Sequence, residues 1–273
     1  MIQARLFRVV TFSSDPLGGN PAFVLAEADD ASNETLAATC AMLGADIIAV
    51  VGTQANGEIP LKFFTPAGTH PGAGHATLAA AQVVLRDGAG KPDCIFRQVN
   101  GEIRPARVED SRIAIDFPVM PGVAVDRIGE AAAALGTTPS ETLVAPFGYV
   151  AVFEDAAKVA GLRPDLTRVS AFDRNALIAT APGAGRSDIV IRVFAPKVGL
   201  PEDPVCGTAH RIIIPYWARK LGAKSIHSRQ LSARGGDLWC EDQGEWITIA
   251  GESCLIFDGT VRLPYQAAVT TRH

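Results

Sequence analysis

Residues 64–78, FTPAGTHPGAGHATL, and residues 194–209, FAPKVGLPEDPVCGTA, decide how this chain folds. In both stretches a phenylalanine is followed two positions on by one proline and five positions later by a second. Each stretch follows a predicted strand and leads to a glycine, Gly74 or Gly207, that opens a predicted helix. A strand–loop–helix repeat of this length predicts two domains of like architecture.

The predicted helices are few, and one of them indicates the architecture. Residues 75–86, HATLAAAQVVLR, are apolar nearly all round, which is typical of a helix buried on every side. A sheet wrapped around a central helix would bury it in this way. Other apolar spacings predict helices at 32–43, 127–135 and 208–221.

Short strands fill most of the remaining chain. Asn100-Gly101 lies between two of them and predicts a tight hairpin. The strand predictions rest on Val, Ile and Phe runs bounded by Gly, Pro, Asn or Asp. They cover residues 2–10, 22–25, 47–51, 59–64, 94–99, 103–108, 112–117, 143–153, 176–181, 188–194, 237–240, 245–250 and 254–257.

Composition narrows the class of protein. With 273 residues, 48% of them hydrophobic and 20% charged, the chain is typical of a globular protein of two domains. A net charge of −4 gives no basic surface for nucleic acid or anionic lipid, so a small polar metabolite is the expected partner. The sequence predicts no signal peptide and no membrane span, and its five scattered cysteines predict neither disulfides nor a zinc site. A cytoplasmic protein is expected.

The glycines that open the two repeated helices predict a binding site for an anion. A helix N-terminus exposes unpaired N–H groups and the positive end of the helix dipole, and glycine allows close approach. Two such turns facing each other across a domain cleft would bind a carboxylate and stabilise the charge that develops when a proton leaves the adjacent carbon. This chemistry requires no metal, pyridoxal phosphate or nicotinamide.

Titratable groups accompany both turns. His75 lies in the first, and Asp203, Cys206 and His210 lie in or near the second. A thiol at a helix start tends to have a lowered pKa, which would make Cys206 available as a base. The structural alternatives are a buried apolar cysteine, a turn-forming Asp203-Pro204 and a loop-bonding His75.

Several motifs together resemble the PhzF family, the phenazine-biosynthesis-like family related to diaminopimelate epimerase. They are DPLGGNPA at 15–22, FTPAG at 64–68, GHATL at 74–78, and PEDP at 201–204 followed by GTA at 207–209. The resemblance implies an α+β fold of two similar domains, each an antiparallel β-barrel around a central helix, with the active site in the cleft between them. It also implies a homodimer and cofactor-independent isomerase chemistry on a small carboxylated substrate. The last strand is expected to return to the first domain, which gives domains of 1–117 plus 256–273 and 118–255.

The resemblance also assigns roles to particular residues. His75 and Asp203 match the residues that assist proton transfer, while Asn20, Gly74, Gly207 and Thr208 match positions that line the site or bind substrate. Asp46 stands where the family has the glutamate that relays the proton. An aspartate is roughly 1–1.5 Å shorter, a displacement that can cost on the order of 100-fold in rate for an unchanged substrate.

Cys206 is the second departure, because the family usually has threonine there whereas the related epimerases have a catalytic cysteine. Three functions therefore stay open. Asp46 could move the proton in an isomerase or epimerase, or Cys206 could be the base of a racemase or dehydratase-like enzyme. Alternatively, the chain could bind a metabolite after its activity was lost. Family resemblance alone does not imply phenazine synthesis, and one further possibility is that His210 or Arg211 touches substrate.

Overall fold

The computed structural model describes residues 1–88 and 92–264. The chain forms two compact units. The first unit contains Met1–Pro16, Pro21–Ile115 and Ser253–His273, and the second contains Leu17–Asn20 and Asp116–Glu252. The short segment Leu17–Asn20 thus belongs to the second unit, whereas the sequence placed it in the first. The predicted boundaries at 117 and 255 stay a prediction, and residues 265–273 of the predicted first domain lie outside the described residues.

Strands dominate both units, and the class is mixed α+β as predicted. The strands are β1 (Ile2–Thr11), β2 (Asn20–Ala26), β3 (Ile48–Val51), β4 (Ile59–Thr65), β5 (Gly68–His70), β6 (Asp93–Gln98), β7 (Ile103–Glu109), β8 (Arg112–Pro118), β9 (Val123–Ala124), β10 (Glu141–Val144), β11 (Gly148–Val152), β12 (Ala176–Pro182), β13 (Ile189–Phe194), β14 (Ser225–Gln230), β15 (Gly236–Asp242), β16 (Trp246–Gly251) and β17 (Ser253–Leu263). The α-helices are α1 (Asn33–Met42), α2 (Gly74–Gln82), α3 (Ile128–Leu135), α4 (Ala156–Ala160), α5 (Leu166–Ser170) and α6 (Gly207–Leu221).

In the first unit the sheet surrounds α2. The strands β2 and β3 pair in parallel, and so do β4 and β6. A parallel pair requires a long crossover connection, which contains α1 in the first case and α2 in the second. Antiparallel pairs join β3 to β4, β6 to β7, β7 to β8, and β17 to β1. Ala76–Gln82 are all buried, and α2 contacts β1, β3, β7 and β17. The central helix predicted from the apolar sequence is therefore confirmed.

Local sequence signals explain where these elements begin and end. The Ser32 side chain accepts a hydrogen bond from the backbone N–H of Thr35 and caps α1, as its residue type predicts. Gly101, with φ of 82°, turns the chain between β6 and β7 at the predicted hairpin. The helix predicted through Arg86 changes form after Gln82, and Val83–Gly88 continue as a π-helix.

The second unit repeats the connections of the first. The strands β11 and β12 pair in parallel across α4 and α5, and β13 and β14 pair in parallel across α6. Antiparallel pairs join β12 to β13, β14 to β15, and β15 to β16. The helix α6 contacts β14, β15 and β16 and buries most of its residues. The sequence repeat therefore reflects two whole units with the same strand connections, and not only a repeated loop.

Three features of the second unit differ from the sequence-based prediction. The helices α4 and α5 were not predicted, and β14 was assigned to no strand. Residues 143–153, predicted as one strand, contain most of the hairpin of β10 and β11, in which the N–H of Ala145 donates to the carbonyl of Gly148 over 2.9 Å. No α-helix in the described part of the chain is long and apolar enough to cross a membrane.

Candidate active site

The turn that leads into α6 holds Cys206 as the N-cap residue. Its backbone is extended, with φ of −106° and ψ of 97°, and Gly207 is the first helical residue. The side chain of Cys206 is 5% exposed. Its sulfur accepts from the backbone N–H groups of Thr208 and Ala209, which belong to the first turn of the helix. The thiol therefore occupies the place where a helix N-terminus attracts negative charge.

The charge state of Cys206 is opposite to the one expected from the sequence. Burial raises the pKa of the thiol well above its usual value, and the nearby carboxylate of Asp203 raises it further. The N–H groups of Ala209 and Thr208 lower the pKa but do not outweigh burial. The prediction of a lowered pKa was wrong because it counted the helix dipole and not the desolvation or the neighbouring acid. In the unbound protein Cys206 is a protonated thiol whose hydrogen bond is donated to Asp203.

Asp203 and Asn20 lie together in this turn. The Asp203 Oδ1 atom accepts hydrogen bonds from the N–H of Val205 and from Nδ2 of Asn20, each over 3.1 Å. The same Asn20 amide donates to the carbonyl of Val205 over 2.9 Å. Asn20 is buried and Asp203 is half-buried. The structure thus brings two predicted site residues into direct contact with each other.

A residue that the sequence analysis missed, Gln230, fixes the turn. It is the last residue of β14 and is fully buried. Its Oε1 accepts from the N–H of Cys206 over 2.9 Å, and its Nε2 donates to the carbonyl of Asp203 over 2.6 Å. The position was missed because SIHSRQ alternates with polar residues and did not indicate a strand. Alternate residues of the strand are buried, at Ile226, Ser228 and Gln230, but two of these three are polar, so a search for alternating apolar residues does not detect the strand.

The loop after β14 attaches Leu17–Asn20 to the second unit. Arg234 donates to the carbonyls of Gly18 and Gly19, over 2.5 and 2.8 Å, and the N–H of Gly19 donates to the carbonyl of Gly235. These bonds to main-chain atoms explain how Asn20 reaches Asp203.

His210, which the sequence offered as a possible substrate contact, has a structural role. It is fully buried, with Nδ1 2.8 Å from the carbonyl oxygen of Cys206 and Nε2 2.8 Å from Oγ of Ser228. Burial lowers its pKa to about 4, so the ring is neutral at pH 7. A carbonyl can only accept, so Nδ1 donates to it and Nε2 accepts from the Ser228 hydroxyl. With both nitrogens bonded and no exposure, His210 is unavailable to substrate.

The turn of the first unit presents Gly74 and His75. Ala73 is the N-cap residue and provides no side-chain cap, and Gly74 is the first residue of α2. Burial lowers the pKa of His75 to about 4, and the nearby His70 lowers it further. His75 is thus a neutral imidazole at pH 7, suited to hydrogen bonding and not to holding a positive charge.

Asp46 follows α1 at a bend and is exposed. Together with burial, its charge raises the pKa of the Cys40 thiol to about 11. Within residues 1–88 and 92–264 the Asp46 side chain makes no hydrogen bond. Its predicted role as the proton carrier stays a prediction.

A cavity of about 500 Å³ in the second unit lies apart from these turns. Arg127, Tyr149, Arg168, Phe172 and Asp173 are among the residues that line it, and none of the predicted site residues does. The candidate residues of each unit are therefore described at the helix-start turn of that unit.

Comparisons with known proteins identify the family of this chain. The family described as phenazine biosynthesis-like protein matches residues 9–259, and the chain belongs to that family. A protein named as an uncharacterized isomerase of Pseudomonas aeruginosa is 35% identical over 96% of this chain and 100% of its own length. The crystal structure of a PhzF-family protein from Enterococcus faecalis superposes with a TM-score of 0.90 at 28% identity, covering 96% of this chain and 100% of that one.

A more distant likeness concerns the fold alone. A hydroxyproline epimerase from Agrobacterium vitis, solved with bound trans-4-hydroxy-L-proline, has a TM-score of 0.57 at 12% identity. It covers 96% of this chain and 91% of that one. The architecture is therefore shared between the phenazine biosynthesis-like family and an epimerase.

Proposed function

We propose that this protein is an isomerase or epimerase that moves a proton on a carbon atom of a small carboxylated metabolite, without a cofactor. The carboxylate of Asp203, which the Asn20 amide and the N–H of Val205 hold beside the start of α6, carries the proposal. It places a proton acceptor next to a helix N-terminus, which favours negative charge. The relative named as an isomerase supports the same class of reaction.

The proposed reaction needs a base, an acid and a group that stabilises the intermediate. A base removes the proton from the carbon beside the carboxyl group, and the electron pair of that C–H bond moves into the carboxylate. Backbone N–H groups of a helix start stabilise the resulting charge. Return of a proton to another carbon, or to the other face of the same carbon, completes an isomerisation or an epimerisation and leaves the composition of the substrate unchanged.

Asp46 is the proposed proton carrier, with assistance from His75 and Asp203. Asn20, Gly74, Gly207 and Thr208 are the proposed binding residues. His75 is neutral at pH 7, so its proposed role is to donate or accept a hydrogen bond. These assignments rest on the family's motifs.

Incubation in heavy water with amino acids, hydroxy acids and unsaturated acids tests the function. We expect one carbon-bound hydrogen of the true substrate to exchange for deuterium, as seen by proton NMR and mass spectrometry. Asp46→Asn should reduce the exchange by 100-fold or more, and Asp30→Asn, which removes another exposed carboxylate of the first unit, is the control. Exchange that is unchanged in Asp46→Asn would remove Asp46 from its role, and binding without exchange across the panel would favour a metabolite-binding protein.

The protonated state of Cys206 supports a second candidate, in which Cys206 and Asp203 are the proton carriers of a racemase or dehydratase-like enzyme. In a racemase the Asp203 carboxylate would take the proton from the substrate carbon and the thiol would give its own proton to that carbon. In a dehydratase the carboxylate would take the C–H proton and the thiol would protonate the neighbouring hydroxyl group, which leaves as water. In both cases the N–H groups of Thr208 and Ala209 would stabilise the resulting thiolate. An active Cys206→Ala would exclude this candidate. Loss of activity in Cys206→Ala with an active Asp46→Asn would establish it in place of the first.

Assembly and location are also proposals. On the family resemblance we propose a cytoplasmic homodimer. Light scattering on the eluting protein should then give about twice the chain mass of 28.7 kDa, and a mass equal to that of one chain would contradict the dimer.

A further inference from the structure

The cavity of about 500 Å³ has the size of a metabolite site. The described residues that line it all belong to the second unit and come from α3, from β11 and from the end of α5 with the residues that follow it. Small-molecule sites in proteins occupy roughly 300–1,000 Å³. The residues assigned to the proposed reaction lie elsewhere, so this cavity is a separate place where a ligand can bind.

Two small residues of α3 keep the cavity open. Gly129 and Ala133 lie four positions apart, on the same face of the helix, and both line the cavity. Glycine destabilises a helix relative to alanine, so its presence within α3 requires a reason. The φ of Gly129 lies outside the left-handed region, and among the described residues a Cβ atom there would meet no atom within 4 Å beyond its own helix turn. Neither backbone angle nor packing requires the glycine, and what it provides is room in the cavity.

Two aromatic rings form an apolar wall of the cavity. The ring centroids of Tyr149 and Phe172 lie 5.1 Å apart, and the rings are tilted by 54°. Tyr149 is buried and Phe172 is half-buried. Ala133 and Ala171 contribute methyl groups to the same cavity. An apolar group of a ligand would displace water from this wall, which favours binding.

The cavity also carries charges of both signs. Arg127 and Glu130 line it and form an ion pair with each other over 2.7 Å. Arg168 and Asp173 line it as well, but no ion pair joins these two residues in the part of the chain that the structure describes. A cation and an anion of the same cavity are thus left to bind something other than each other.

Arg168 and Asp173 both retain capacity for a ligand. The Nε atom of Arg168 lies 3.3 Å from Oδ2 of Asp165, and a guanidinium has five N–H donors. The Oδ1 atom of Asp173 accepts from the hydroxyl of Tyr149 over 2.8 Å, and its Oδ2 atom lies 4.0 Å from Nη1 of Arg174. A carboxylate has about four acceptor sites. Arg168 can therefore bind a carboxylate, and Asp173 can bind an ammonium group.

A ligand that fits this cavity must carry both charges. A net anion would face Glu130 and Asp173, and a net cation would face Arg127 and Arg168. A zwitterion complements both signs and can place an apolar side chain on the aromatic wall. We propose that the cavity binds a free α-amino acid with an aromatic side chain, whose carboxylate contacts Arg168 and whose ammonium group contacts Asp173. This proposal concerns a second binding site and does not rest on the proposed function.

Saturation-transfer NMR on the full chain, with L-phenylalanine as the titrated ligand, tests the site. Phenylpropionate lacks the ammonium group and phenethylamine lacks the carboxylate, so the two are matched controls for each charge. L-Phenylalanine should bind saturably, and each control ligand should bind roughly 10-fold more weakly, as expected for the loss of a hydrogen bond between charged groups.

Substitution of Arg168 tests the contact with the carboxylate. Arg168→Gln should weaken the binding of L-phenylalanine roughly 10-fold and leave the binding of phenethylamine unchanged. Arg219→Gln, which removes an exposed positive charge of α6 outside the cavity, is the control and should change neither.

Filling the cavity tests its location. Gly129→Leu extends a side chain into the cavity and should abolish the binding of L-phenylalanine, while leucine favours the helix more than glycine does. Ala157→Leu adds the same side chain at an exposed position of α4 and should leave the binding unchanged.

Several results would overturn the proposal. They are a wild-type protein that shows no saturable binding of L-phenylalanine, a folded Gly129→Leu variant that binds it as tightly as the wild type, and phenylpropionate that binds as tightly as L-phenylalanine. If Gly129→Leu does not fold, Arg168→Gln decides, because its side chain is exposed and the substitution leaves the core intact. Unchanged binding of L-phenylalanine by Arg168→Gln would then contradict the proposal.

Discussion

The thiol of Cys206 donates a hydrogen bond to the carboxylate of Asp203, which raises the pKa of the thiol beyond the effect of burial. This relationship reverses the role that a cysteine at a helix start would ordinarily have. The thiol is protonated at neutral pH, and the N–H groups of Thr208 and Ala209 would stabilise the thiolate after loss of that proton. In the second candidate mechanism, this pair would donate a proton first and accept one afterwards.

The raised thiol pKa predicts slow alkylation of Cys206. In the unliganded native protein at pH 8, iodoacetamide should modify Cys206 far more slowly than a free cysteine, because the thiolate is the reactive form. Asp203→Asn removes the neighbouring charge and should speed the reaction, as followed by mass spectrometry of the Cys206 peptide. Glu154→Gln, which removes an exposed carboxylate of the same unit, is the control. Rapid alkylation of the wild type at pH 7 would contradict the raised pKa.

Gln230 should be essential for the stability of the turn. Gln230→Met leaves the N–H of Cys206 and the carbonyl of Asp203 without their partner, at a cost of about 2–4 kcal/mol in the free energy of unfolding measured with urea. Gln230→Glu keeps an acceptor for Cys206 but turns a second acceptor toward the Asp203 carbonyl, so it should cost more at pH 7. A Gln230→Met variant as stable as the wild type would show that water replaces the amide.

Asn20 should stabilise Asp203 in its ionised form, since Nδ2 of Asn20 donates to Oδ1 of Asp203. Asn20→Asp places a second acid beside the first and should raise the pKa of one of them. We expect the free energy of unfolding at pH 7 to fall by roughly 2 kcal/mol and to recover partly at pH 5. Asn33→Asp, at the start of α1 where an acid is favourable, is the control and should not lower stability. An Asn20→Asp variant with wild-type stability at pH 7 would be inconsistent with the contact.

His210 should make the protein sensitive to mild acid. Its pKa is about 4 in the folded protein and 6.5 in an unperturbed histidine, so the unfolded chain takes up the proton first. The stability that neutral His210 contributes is complete above pH 6.5 and is lost as the pH falls toward 4, amounting to roughly 2 kcal/mol between pH 7 and pH 5. His210→Gln lacks this titration, so urea unfolding at the two pH values should show a smaller loss in the variant. Equal losses would mean that His210 is protonated in the folded protein.

Much of the fold could be predicted because, at these elements, the local sequence signals favour the same structure as the tertiary packing. Ser32 caps α1, Gly136 ends α3 with φ of 73°, and the apolar 75–86 segment lies at the centre of its unit. The helices α4 and α5 have only five residues each, too few for a helical period, although Asp155 and Asp165 cap them. A single strand was predicted over 143–153 although Pro146 and Gly148 are turn-forming residues, a local signal that the strand prediction overlooked.

The site was less predictable because it depends on contacts between residues that are distant in sequence. Cys206, Asp203 and Asn20 were named from motifs, but the thiol pKa depends on burial and on a neighbouring carboxylate that spacing does not reveal. Gln230 belongs to no motif, and only its contacts with Cys206 and Asp203 identify its role. The sequence motifs predicted the reactive groups but not the amide beside them.

Deuterium incorporation tests the central claim most directly. The wild-type protein, incubated in heavy water with a panel of small carboxylic acids, should replace a single carbon-bound hydrogen of at least one acid with deuterium. Asp203→Asn should slow that exchange by 100-fold or more while the protein stays folded. Absence of exchange in every acid, or undiminished exchange in Asp203→Asn, would contradict the account.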